Sequence, residues 1–150
     1  MTEVHGPSFH LGMINCFAEM VAVGVKRLAI SPPLRPEDYE AIREASEAIV
    51  EGSGIRSWLE TSLLVTHLQS PEFTRGKWSV LYFKDPAVLE AYLELKERKA
   101  SLEGAGRYHE DAAREVSREF MRLLSYPEEV IEAKLEARGK DDPFIFLRET

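Results

Sequence analysis

Residues 9–30 read FHLGMINCFAEMVAVGVKRLAI, and the way this stretch is packed decides the fold. At about 100° per residue, Asn15, Glu19, Ala22 and Lys26 fall on one narrow strip. Phe9, Leu11, Met13, Ile14, Phe17, Met20, Val21, Val23, Val25, Leu28 and Ile30 take up most of the remaining circumference. A surface helix has one apolar stripe and a wide polar back, and here the proportions are reversed. The pattern predicts a helix of about six turns, largely buried, at the centre of the domain or in a subunit interface. Ser8 suits its N-cap. Gly12 and Gly24 each cost roughly 1 kcal/mol against alanine, which calls for something approaching the backbone closely at those points.

A membrane span is excluded by charge, because Glu19, Lys26 and Arg27 interrupt the run where about 20 uncharged residues are needed. The opening residues MTEVHGPSF lack the basic region of a signal peptide, and residues 1–8 read as a loose leader.

The 150 residues fit one globular domain, which at that length buries about 70% of its unfolded surface. A single cysteine cannot form an internal disulfide, which points to a reducing, cytoplasmic setting. The chain is acidic, with a formal net charge of −7. That argues against a nucleic-acid surface, where binding is driven by neutralising phosphates.

Prolines at 32, 33 and 36 end the first helix by Ile30. A second begins near Pro36 and buries Tyr39, Ile42, Ala45, Ile49 and Val50, and the GSG at 52–54 stops it. IRSWLE (55–60) fits either a short strand or a helical turn. LLVTHL (63–68) and WSVLYF (78–83) are rich in β-branched and aromatic residues and read as the strands of a buried antiparallel hairpin. Asp85 and Pro86 open another helix, and a clear 3.6-residue period over 107–125 predicts the next. Pro127 opens a last short helix. FIFL (144–147) makes the 140–150 tail apolar enough to dock on its own domain or on a second copy. The fold class is mainly α, as an α+β arrangement: about five helices around the N-terminal one, with a small hairpin near 63–83.

Local signatures of chemistry are scarce. No Glu-x-x-His or His-x-x-x-His pattern includes His5, His10, His67 or His109, so neither metal nor cofactor is expected. TRGKW (74–78) lacks the first glycine and the Ser/Thr of a phosphate loop, and a strand follows it rather than a helix. GSGIRS (52–57) follows a helix and is no dinucleotide turn. Cys16, set in an apolar helix, reads as a small buried hydrophobe rather than a nucleophile.

Two groups of residues are candidates for function. Arg75 and Lys77, with His67 on the neighbouring strand and Lys26 and Arg27 at the end of the first helix, could form an anion pocket. Asn15 and Glu19, if buried, would need partners and could be perturbed. The favoured expectation is a non-catalytic module that binds itself, as a homodimer, or another protein. The alternative is a small enzyme or binding protein for an anionic metabolite, with His67 as acid or base.

Overall fold

The structure, a computed structural model, describes residues 4–69 and 71–136. The elements run α1 (Gly6–Ala22), β1 (Leu28–Ile30), α2 (Pro36–Ser53), β2 (Arg56–Glu60), α3 (Pro71–Thr74), β3 (Ser79–Phe83), α4 (Pro86–Gly104), α5 (Glu110–Leu123) and α6 (Glu128–Glu136). The class is mainly α with a small antiparallel sheet, as the sequence implies.

The centre of the fold is β3 rather than α1. β3 lies between β1 and β2 and runs antiparallel to both, with Leu28 opposite Phe83 and Trp58 opposite Leu81. β1 and β2 are therefore parallel to each other, and α2 carries the chain between them. The result is a split β-α-β unit with a later strand inserted in its middle.

Alternation along β3 feeds two cores. Val80 and Tyr82 face Ile14, Ala18 and Val21 of α1 and Tyr39, Ile42 and Val50 of α2. Leu81 and Phe83 face Val88, Tyr92 and Leu95 of α4 and Val116 and Phe120 of α5. Helices thus cover the sheet on both faces, and all five residues of β3 are buried. On the far side of α5, Met121 packs with Ile131 and Leu135 of α6.

Three expectations are corrected. First, α1 ends at Ala22, and Leu28–Ile30 is strand rather than its last turn. Gly24 is the stop: it takes φ +83°, its amide donates to the Val21 carbonyl, and the Val25 amide reaches back to Met20. This paired closure around a left-handed residue recurs at Gly54 after α2 and Gly106 after α4. The N-cap of α1 is His5, whose ring accepts from the Ser8 amide.

Second, α1 is not largely buried. Ile14, Ala18 and Val21 are its covered stripe, and Leu11, Phe17 and Ala22 pack beside them. An outer helix on one side of a sheet has only one face to hide.

Third, the hairpin's first strand is Arg56–Glu60, which settles IRSWLE as strand, and LLVTHL is irregular. Leu63 and Leu64 are buried, which is why the segment reads as a strand. Its backbone groups are met by side chains of α4 and α5 instead of by a ladder. The Leu64 amide donates to the Tyr92 hydroxyl at 3.0 Å, the Val65 carbonyl accepts from Lys99 Nζ at 2.8 Å, and the His67 amide donates to Ser117 Oγ at 3.1 Å. Of the expected leader, residues 6–8 are instead the first turn of α1 and residues 1–3 lie outside the described residues, as does the expected docking of the 140–150 tail.

Candidate functional site

The outer face of α1 is the site that the geometry brings forward. Phe9, Met13, Cys16 and Met20 follow one another at spacings of four, three and four residues. They form a single apolar stripe about 140° around the helix from Ile14, Ala18 and Val21. Phe9 and Met20 are each 40% exposed, Met13 is half-buried and Cys16 is exposed. Val23 and Val25, just beyond the helix, are exposed further still. The expected burial of Cys16 is therefore wrong, and so is that of Asn15 and Glu19, which stand in solvent on the edge between the two apolar faces. The apolar excess that made α1 look central comes from two stripes, one turned inward and one outward.

Of the anion candidates, His67, Lys77 and Lys26 have side chains engaged locally. His67 is exposed but joined to Ser117: Nδ1 lies 2.8 Å from Ser117 Oγ, which also accepts from the His67 amide. Ser117 is fully buried on α5, so this serine–histidine pair fastens a loop and does not present a nucleophile. Lys77 lies over the Phe73 ring at 4.6 Å, and Arg75 is exposed on the same turn. Lys26 donates to the Leu124 carbonyl at 2.9 Å, and the Arg27 amide donates to Ser125 Oγ at 2.9 Å. Burial lowers the pKa of Lys26. The anchors of Lys26 and His67 on α5, Leu124 and Ser117, are separated by about 10 Å of helix rise.

A buried polar cluster escapes the sequence reading. Glu60, 4% exposed at the end of β2, accepts from the Tyr92 hydroxyl at 2.9 Å, from Lys96 Nζ at 2.9 and 3.0 Å, and from the Ser62 amide at 2.9 Å. The available signal was a lone acid closing an apolar strand, with Tyr92 and Lys96 one turn apart on α4. A carboxylate with this many donors is held in place. It clamps sheet to helix and has no lone pair aimed at an opening.

An open cleft of about 430 Å³ is lined by Lys99, Glu103, Gly106, Tyr108 and His109. Its lysine is already engaged, by the Val65 carbonyl, by Glu103 at 3.3 Å and by the Tyr108 ring. Among the described residues, no three His, Cys, Asp or Glu side chains gather closely enough to hold a metal ion, and no helix is long and apolar enough to cross a membrane. No family model, curated protein or solved structure matches this chain.

Proposed function

We propose that this chain is a non-catalytic interaction module of the cytoplasm that associates with itself through the outer face of α1. The observation that carries the reading is the solvent-facing row Phe9, Met13, Cys16 and Met20 on a helix whose opposite side already fills the core. Complete burial of a phenylalanine or methionine side chain is worth about 1.5–3 kcal/mol. With two-fifths of their surface still wet, Phe9 and Met20 each retain roughly 1 kcal/mol for a partner to release. A row only about 17 Å long supports a dissociable dimer rather than an obligate one.

The polar groups that the fold buries around Glu60 and Ser117 are engaged with one another, which fits structural clamps better than reaction chemistry. An anionic-metabolite pocket on Arg75, Lys77 and His67 draws less from the geometry, because His67 is engaged by Ser117 and Lys77 by Phe73.

Light scattering across a concentration series tests the reading. The expected result is a mass that rises from one chain toward two, and a double variant Phe9→Lys, Met20→Lys that stays at one chain with an unchanged circular dichroism spectrum. A wild-type chain that remains monomeric at several hundred micromolar overturns it.

A further inference from the structure

The first two turns of α1 are held by little. Residues 6–9 are exposed, His10 and Leu11 are half-buried, and full burial begins only at Ile14. Gly12 stands at the end of this stretch, and glycine inside a helix weakens it. Lightly anchored helix ends of this kind open locally, without unfolding of the whole domain. Two histidines sit where the segment is fastened.

His5 is the N-cap of α1. Its Nδ1 accepts from the Ser8 amide at 3.4 Å and lies 2.8 Å from the Ser8 hydroxyl. A protonated imidazole carries donors on both nitrogens and accepts nothing, so acid removes the cap from the amide. It also sets a positive charge at the positive end of the helix dipole.

His10 lies on the inward side of α1, about 50° from the stripe of Ile14, Ala18 and Val21. Its ring meets Phe9 edge-on at 6.0 Å. Its Nδ1 is buried and has no hydrogen-bond partner among the described residues. Burying a neutral unpaired nitrogen costs less than burying an unpaired charged N–H. Among the described residues, the charge acting on His10 is Asp38 of α2, with no hydrogen bond between them. The Asp38 carboxylate is held by Arg35 at 2.7 and 3.1 Å, and Glu37 lies 3.7 Å from the same guanidinium. The hydrogen bond from Arg35 lowers the pKa of Asp38, so this carboxylate keeps its charge in mild acid. Burial lowers the pKa of His10, and the opposing pull of Asp38 is the smaller effect.

We propose that residues 6–12 are an acid-released segment, packed on α2 while His5 and His10 are neutral and set free when the two imidazoles take up protons. The released segment binds protons more readily than the packed one. Packing is therefore complete above the ordinary histidine value of about 6.5 and is lost as the pH falls through it. Release exposes Leu11 and the part of the α1–α2 core that it covers. The device is separate from the self-association reading, because His10 faces α2 and His5 precedes the outer row.

Hydrogen exchange of the full chain at about pH 7.5 and about pH 5, corrected for the intrinsic pH dependence of amide exchange, tests the release. The sample is diluted until light scattering shows one chain. Amides 9–13 are expected to lose protection on the order of tenfold in acid, while those of α4 and α5 keep theirs. In the double variant His5→Asp, His10→Phe the cap still accepts at about pH 5 and the inward ring does not titrate, so the loss should disappear. Each single variant should remove part of it. Protection of amides 9–13 that is equal at the two pH values overturns the inference. So does protection that rises in acid, which would mean that His10 turns onto Asp38. A loss shared equally by α4 and α5, or one that persists in the double variant, overturns it as well, because the opening is then not local or not governed by these histidines.

Discussion

The Tyr92 hydroxyl donates to Glu60 Oε2 at 2.9 Å while accepting from the Leu64 amide at 3.0 Å. One phenol thus joins α4 to the end of β2 and to the irregular segment after it. Lys96, one turn further along α4, supplies the neutralising charge.

Removing either partner should therefore be costly in a characteristic way. Tyr92→Phe leaves the Leu64 amide unpaired and takes one donor from Glu60, a loss of about 1–3 kcal/mol. Lys96→Met strands a carboxylate whose side chain is 5% exposed, with an expected loss of about 3 kcal/mol. That is the lower end of the range for broken buried pairs, because the lysine side chain is itself 34% exposed. The double variant should lose less than the sum, since both act on the same carboxylate. Urea midpoints at constant slope measure all three, and strictly additive losses would mean that the two contacts are independent.

Ser125 offers a test of backbone rather than charge. It holds φ +66° immediately after α5, with its amide donating to the Arg122 carbonyl and the Tyr126 amide to Met121. This is the closure that Gly24, Gly54 and Gly106 make after the other long helices. A non-glycine residue pays about 1 kcal/mol for this conformation. Ser125 recovers a similar amount by accepting the Arg27 amide at 2.9 Å. Ser125→Gly should therefore be nearly neutral, while Ser125→Ala keeps the strain, loses the hydrogen bond and costs about 1 kcal/mol. Thermal melts of the two variants distinguish these outcomes. A Ser125→Ala variant that melts with the wild type would show that the hydrogen bond contributes nothing, and equal melting temperatures for the two variants would show that the left-handed conformation carries no strain.

The same comparison explains what the sequence could and could not reveal. Helix starts at Pro36 and at Asp85–Pro86 were legible because capping is local: Pro36 opens α2, and Asp85 caps α4 by accepting from the Ala87 amide at 2.9 Å. The stops at Gly54 and after Gly104 were legible for the same reason. Gly24 was misread because apolar residues continue past it. Val23 and Val25 extend the helical pattern, although they face solvent and Leu28–Ile30 belongs to a sheet edge. LLVTHL was misread because burial and β-structure give the same local signal, and the groups that satisfy its backbone lie 28 to 50 residues away in sequence. Of the site, the apolar excess of α1 was legible. Its division between an inward and an outward face was not, because hydropathy alone does not say which faces a sheet will cover.

The alkaline limb of stability follows from burial of phenols. Tyr82, on the central strand, and Tyr92, in the Glu60 cluster, have pKa values pushed well above the ordinary tyrosine value, chiefly by burial. Tyr39 and Tyr108 are raised for the same main reason. In the unfolded chain these groups ionise near pH 10, so their contribution is complete below about pH 10 and is lost as pH rises toward the higher folded values. Lys26 acts in the opposite sense. Its folded pKa is lowered by burial, so the unfolded chain holds that proton longer and stability gains slightly just below the ordinary lysine value. Each strongly buried phenol contributes a slope of about 1.4 kcal/mol per pH unit, and two of them outweigh one lysine that is only partly buried. Stability should therefore fall steeply above about pH 10, with the tyrosinate absorbance near 295 nm appearing together with the loss of helix signal. Tyr82→Phe should make the fall shallower, and Lys26→Met should remove the small preceding rise. If all of the tyrosinate absorbance appeared near pH 10 while the helix signal stayed intact, the phenols would be in contact with water and the packing of both cores around β3 would be wrong.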